Sequence, residues 1–292
     1  VHSFDNKILF KIENEIITSL DIENESKYLL ALNRNIKNID KKEIFEISRK
    51  SIIREKIKKI EISKNFNNPN ISEKFLKKLF KNIYLKIGIE NLEDFKKYLK
   101  INNIEFDNIK SKIKIEALWN ELIFQKYIKN IRIDEMKLKK IVKKFKDEYS
   151  FSYDYNLSEI LFEIEKDQTL DNKLKAIKKS IKEIGFDNTA NIYSVSDSSK
   201  FGGKVGWVNE TQISEVIGSN IKDLNINEIS KVLKSPMGYL ILKVNDKKKI
   251  NEPFDEKKYF DMLKSSETNR QLNQFSLVLF KRLRQNTFVN EY

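Results

Sequence analysis

The chain has no cysteine among its 292 residues. Disulfides, thiolate nucleophiles and cysteine-bound metals are therefore excluded. That suits an oxidising compartment, although a cysteine-free cytosolic protein is also ordinary. Histidine occurs once, as His2. Ser–His catalysis and multi-histidine metal sites are excluded with it, and neither a metal nor a cofactor is expected. Glycine is scarce, with seven residues, and proline scarcer, with three. No apolar run approaches the ~18 residues that a membrane-spanning helix needs, so stable membrane insertion is not expected. The first residues show no basic segment followed by an apolar one, as an uncleaved signal peptide would.

What is present is charge and aliphatic bulk. Hydrophobic residues make up 40% and charged residues 34%, with a net charge of +13. That is enough apolar material for real cores, and the length suggests about two domains. Lysine far outnumbers arginine, and the lysines alternate with acids, as in "KKEIFEISRKSIIREKIKKIEISK" (41–64). Such a pattern describes solvated helix faces rather than the arginine-rich clusters that read nucleic acid. No nucleic-acid partner is expected.

The first half reads as a hairpin followed by helices. "KILFKI" alternates Ile8, Phe10 and Ile12, and "EIIT" follows a tight turn at Glu13-Asn14. Ser19 or Asp21 caps the next helix, and another spans about Lys41 to Ile62. Pro69 breaks the chain, Ser72 caps a helix that stops at Gly88, and Asn91 opens a short one. A long helix then carries Ile115, Leu118, Trp119, Leu122, Ile123 and Tyr127 on one stripe. Asp134 caps a further helix bearing Leu138, Ile141, Val142 and Phe145.

Near Tyr149 the character changes. "SFSYDYN" reads as irregular, "LSEILFEI" (157–164) as a strand, residues 170–184 as a helix ending at Gly185, and "GYLILKV" (238–244) as a strand. These elements make a compact α+β module over about 153–247. A last helix over 255–284 has an apolar seam of Leu272, Phe275, Leu279 and Leu283 that must bury against something.

Three of the seven glycines fall in "KFGGKVGWV" (200–208). The segment lacks the spacing and the strand–helix context of a phosphate loop. It reads as a tight loop shaped by glycines that adopt positive φ. The wider order "AIKKSIKEIGFDNTANIYSVSDSSKFGGKVGWV … EISKVLKSPMGYLILKV" resembles the parvulin family of peptidyl-prolyl isomerases. The matching residues are Gly185-Phe186, Ala190, Ser194, Gly202-Gly203, Gly206-Trp207, Glu228-Ile229-Ser230 and Gly238-Tyr239. The hairpin with "NEIITSLDIE" and the helices that follow it resemble SurA-type periplasmic chaperones, with one parvulin module instead of two.

The resemblance implies an α+β fold in three parts: a mostly helical chaperone domain over 1–150, a parvulin-like domain over 151–249, and a C-terminal helix over 250–292 packing on the first. It implies a periplasmic holdase, its signal peptide removed, whose partners are unfolded polypeptides, plausibly outer-membrane β-barrel precursors. The alternative is an active peptidyl-prolyl isomerase. Active parvulins hold two histidines across the cleft; the positions that match them here are Glu159 and Leu240. Ile213, Val216, Ile217, Leu240 and Trp207 are the expected peptide-binding residues, with no metal site. A Leu makes no hydrogen bond and a Glu is acceptor-only when ionised, so isomerase activity is expected to be weak or absent.

Overall fold

In a computed structural model the chain is described over residues 6–67, 69–148, 152–165, 168–251 and 253–292; His2 lies outside these. Strands β1 (Ile8–Ile12) and β2 (Glu15–Thr18) precede helices α1 (Ser19–Leu32), α2 (Lys41–Asn65), α3 (Glu73–Lys86), α4 (Leu92–Ile101) and α5 (Phe106–Tyr127). Helix α6 (Glu135–Glu148) leads to β3 (Ser152–Phe162), α7 (Leu170–Ile184), α8 (Phe186–Tyr193), β4 (Lys204–Asn209), α9 (Glu215–Ile221), β5 (Leu233–Ser235) and β6 (Gly238–Ile250). Helix α10 (Glu256–Asn286) and strand β7 (Val289–Glu291) follow. The fold is α+β: mostly helical, with two small antiparallel sheets. The chain forms two compact units, Val1–Lys126 with Ser276–Tyr292, and Tyr127–Phe275.

In the first unit β1 and β2 form the hairpin, turning at Glu13 with φ 49°. The cap of α1 differs from the expectation. Thr18 is the N-cap, and Asp21 answers it from the third helical position, each side chain bonded to the other's backbone. Ser72 and Asn91 cap α3 and α4 through Phe75 N and Asp94 N. The buried face of α5 runs through Ile109, Ile113, Ala117, Trp119, Leu122 and Ile123. Ile115 and Leu118, expected on that stripe, are only half-buried, because the face drifts around the helix as it meets several neighbours.

The hairpin's inner residues Phe10, Ile12 and Ile17 pack with Ile22, Ile52, Ile53 and Ile57. Phe280, Leu283 and Val289 close over the same cluster. Strand β7 pairs with β1, so the sheet order is β2-β1-β7. The indole of the fully buried Trp119 donates to Ser276 Oγ at 2.8 Å. A strand at 289–291 carries no strong periodicity of its own; only the open edge of β1 makes it one.

The same unit contains a buried ionic network. Lys112 Nζ on α5 lies 2.6 Å from Glu25 on α1 and 2.5 Å from Glu55 on α2, with Tyr28's ring 5.1 Å away. Glu25 also accepts from Ser51 Oγ at 2.6 Å. The ammonium on α5 thus bridges two carboxylates, one from α1 and one from α2, that would otherwise repel each other.

The second unit holds a four-stranded antiparallel sheet in the order β4-β3-β6-β5. Two expectations need correction. "SFSYDYN" is strand from Ser152 onward, not irregular chain: β3 and β6 continue as a long ladder down to Ser152 paired with Ile250. "KVGWVN" (204–209), read as loop, is strand β4. Long-range pairing with β3 selects extended backbone there despite the glycines. Helices α8 and α9 and strand β5 leave no mark in the sequence pattern, each being too short to show a period.

Candidate functional site

The site is built on β3 and β6, whose register pairs Glu159 with Leu242, Ile160 with Ile241 and Leu161 with Leu240. Side chains alternate across a strand. Ile160, Phe162 and Ile241 therefore share one face, where they form a core with Ile177 of α7 and Phe186 and Ala190 of α8. Glu159, Leu161, Leu240 and Leu242 share the other. The two positions singled out from sequence, Glu159 and Leu240, are thus on one face, on neighbouring strands, diagonally placed.

Gly203 fixes how closely the glycine loop approaches β3. Its carbonyl accepts from Glu159 N at 2.8 Å. Its φ is +77°, and a Cβ there would run into the Glu159 carbonyl oxygen and lie 2.9 Å from Ala190 Cβ. Only glycine fits a positive φ with no room for a side chain.

The serines before that loop run alongside β3. Leu161 N donates to Ser194 Oγ at 3.1 Å, and Leu161 O accepts from Val195 N at 2.7 Å. Ser196 Oγ and Ser198 Oγ both donate to Glu159 Oε1, at 2.7 and 2.9 Å. Ser196 also caps the 3-10 turn at Asp197–Phe201, accepting from Ser198 N at 3.4 Å. Glu159 is half-buried. Its side chain therefore sits in a hydroxyl cradle and is not an orphan. Spacing alone did not reveal Ser196 and Ser198. Their signal was the alternating "SVSDSS" leading into the glycine pair.

The other expected residues are spread out. Leu240 is buried, its register fixed by Leu161 on one side and Leu233 on the other. Trp207 is exposed on β4, Val216 is exposed on α9, and Ile213 and Ile217 are half-buried. Among the described residues there is no cluster of His, Asp or Glu that could hold a metal ion, and no helix long and apolar enough to cross a membrane.

A second group of titratable side chains gathers around Glu210. Its carboxylate accepts from Tyr153 N at 2.6 Å, and burial holds its carboxyl above the usual range. Burial, with the Glu210 charge nearby, pushes the Tyr155 and Tyr259 phenols up to about 12.

The family comparison falls on the part of the chain that holds this sheet. The family described as "Rotamase: PPIC-type PPIASE domain" matches residues 156–246. The chain thus carries one PPIC-type parvulin domain. Over a longer stretch it is similar to chaperone SurA of Pseudomonas putida, 21% identical over 169 residues, or 54% of this chain and 39% of that protein. Chaperone SurA of Methylobacillus flagellatus is 32% identical over 94 residues, covering 32% of this chain and 21% of that protein. The chain's match thus spans about two fifths or less of the length of these curated relatives. Among solved structures, a SurA-like chaperone of Campylobacter jejuni is 17% identical, with 98% of this chain and 99% of that one covered and a TM-score of 0.35. PrsA of Bacillus cereus is 20% identical, with 97% and 92% covered and a TM-score of 0.32. The chain is thus similar to SurA chaperones over about half of its length, and its residues 156–246 match one PPIC-type domain.

Proposed function

We propose that the chain is a holdase chaperone that keeps unfolded polypeptides from aggregating, and that its parvulin domain binds clients more than it isomerises them. The observation that carries the holding role is an open groove of about 390 Å³ in the first unit. Leu9, Ile22, Ile44 and Phe45 line it, and the exposed Ile8 and Leu20 are neighbours in sequence. Apolar surface left open in this way is characteristic of interaction sites. Likeness to chaperone SurA supports the reading. In it the chain works in the periplasm, with outer-membrane β-barrel precursors as clients. Within the same proposal, residues 1–150 completed by 250–292 are the chaperone domain and 151–249 the parvulin domain. Ile213, Val216, Ile217, Leu240 and Trp207 are the peptide-binding residues there.

The isomerase alternative has the family description in its favour. Against it stand Leu240, which can neither donate nor accept, and Glu159, whose hydrogen-bonding network is made with serines. Light scattering of a denatured β-barrel precursor diluted into the full chain tests the first reading. Phe45→Ser with Leu20→Ser should reduce protection at least severalfold; undiminished protection overturns the groove's role. A proline-peptide assay tests the second. A kcat/KM within about tenfold of an active parvulin, a gap of only ~1.4 kcal/mol, would establish the chain as an isomerase.

A further inference from the structure

Lysines in this chain mostly alternate with acids, but over residues 74–86 they do not. "KFLKKLFKNIYLK" carries five lysines and no acid. The segment makes up nearly all of α3. Leu76, Phe80 and Tyr84, four residues apart, form its buried face; Phe80 stacks on Phe106 at 4.8 Å and Tyr84 lies 6.0 Å from Phe95. The helix is therefore held firmly, and its opposite face is fixed towards solvent. Lys74, Lys77, Lys78 and Lys81 stand exposed there. None of these four side chains makes an ion pair or a hydrogen bond among the described residues. Glu73, at the helix start, is paired with Lys110 at 3.0 Å. Phe75 and Leu85, 47% and 50% exposed, stand on the same side of the helix, about 15 Å apart along its axis.

Helix α6 supplies the contrast. Residues 137–146 hold six lysines and no acid, yet acids from other elements answer them. Lys144 pairs with Glu215 at 2.8 Å and Lys146 with Glu256 at 2.9 Å. Lysines of α2 likewise reach Glu13, Glu15 and Glu116. Like charges three and four residues apart on a helix repel, and only on α3 does the fold leave a whole face of them unanswered.

We propose that the outer face of α3 docks the chain on an anionic lipid bilayer, its four ammoniums among the headgroups and Phe75 and Leu85 at the acyl boundary. Charge complementarity selects an anionic surface. The side chains select a bilayer. Ammoniums are point charges on flexible stems, suited to mobile headgroups rather than to the fixed phosphates that arginine forks grip. The two exposed apolar side chains gain from burial at the acyl boundary; a glutamate-rich polypeptide or a phosphate backbone offers them nothing. The contact is adsorption, since no helix among the described residues is long and apolar enough to cross a membrane. It shares no residue with the groove of the first unit and does not depend on the holdase reading.

The test is cosedimentation of the full chain with phosphatidylcholine vesicles, plain or with about one quarter phosphatidylglycerol. Binding is expected only with the anionic lipid and should be released at about 1 M salt, where the screening length is ~3 Å. Lys74→Gln with Lys78→Gln and Lys81→Gln should weaken it at least tenfold, since each lysine near such a surface is worth about fivefold. Lys139→Gln with Lys140→Gln and Lys143→Gln removes the same charge from α6 and should cost less than about threefold. Equal losses in the two variants would assign the binding to net charge and overturn the proposal, as would binding indifferent to phosphatidylglycerol. Phe75→Trp in a Trp207→Phe background gives an independent reading. Trp119 is buried and silent, so the emission should shift to the blue on adding anionic vesicles; unchanged emission overturns the proposal. Poly-glutamate tests the polypeptide alternative: if the α3 variant loses binding to it but keeps binding to vesicles, the membrane assignment is wrong. Aggregation protection without vesicles should be the same in the α3 variant as in wild type, and its loss would assign the face to clients instead. Absence of protection in the wild type removes the holdase reading and leaves this inference standing.

Discussion

Replacing Lys112 with methionine should destabilise the first unit more than any other single charge removal there. Two effects oppose each other at this ammonium. Burial, the larger single influence, would lower its pKa, but Glu25 and Glu55 together raise it above the usual 10.5. Removing it leaves Glu25, essentially inaccessible, with only the Ser51 hydroxyl and the repulsion of Glu55. Breaking a buried pair from one side typically costs ~3–5 kcal/mol. Glu55 retains some exposure and Ser51 stays bonded, so the low end, about 3 kcal/mol, is expected. For a unit of this size that corresponds to a Tm lower by about 6–12 °C. Trp119 fluorescence in a Trp207→Phe background reports this unit alone, since Trp119 is buried there and Trp207 lies in the other unit. The triple replacement of Lys112, Glu25 and Glu55 by apolar residues should recover most of the loss, because no charge is then left unpaired. The pH dependence has a definite sign. A lysine pKa raised by folding stabilises fully below 10.5, and that contribution is lost as pH rises through the folded value. Wild type should therefore lose its advantage over Lys112→Met above about pH 10.5. A Lys112→Met protein melting within about 2 °C of wild type, on the scale of ~2–4 °C per kcal/mol, would refute the reasoning.

Gly203→Ala should abolish soluble parvulin domain or cost several kcal/mol, since the methyl meets the Glu159 carbonyl and Ala190 at a positive φ; near-UV circular dichroism and yield decide it. Phe280→Ala should cost ~1–2 kcal/mol in the first unit, since the half-buried ring packs against the cluster of Phe10, Ile12 and Ile17, read by urea unfolding of Trp119 fluorescence. Glu210 carries a carboxyl pKa raised by folding, so its ionisation opposes folding and its contribution to stability falls as pH rises from 4.5 through the folded value. Glu210→Gln should remove that slope and be at least as stable as wild type at pH 7; a steeper loss of stability with pH in the variant contradicts the assignment.

Local chemistry makes much of the fold legible in the sequence itself. The hairpin at Ile8–Thr18, the caps Ser72 and Asn91, and the stops at Gly88 and Gly185 depend on neighbours within a few residues, and sequence displays such neighbours directly. The scarcity of glycine makes its clustering at 202–206 informative. Other features depend on partners far along the chain. "KVGWVN" is strand only because β3 offers its edge, and Val289–Glu291 only because β1 does. The network of Glu25, Glu55 and Lys112 joins residues up to 87 positions apart, which no periodicity records. The state of Glu159 belongs with these. Sequence places a carboxylate at position 159, but whether it stands unpaired or cradled depends on where the backbone carries Ser196 and Ser198. Hydrogen bonds need donor and acceptor within about 3 Å, and for residues 37 and 39 apart only the tertiary fold sets that distance.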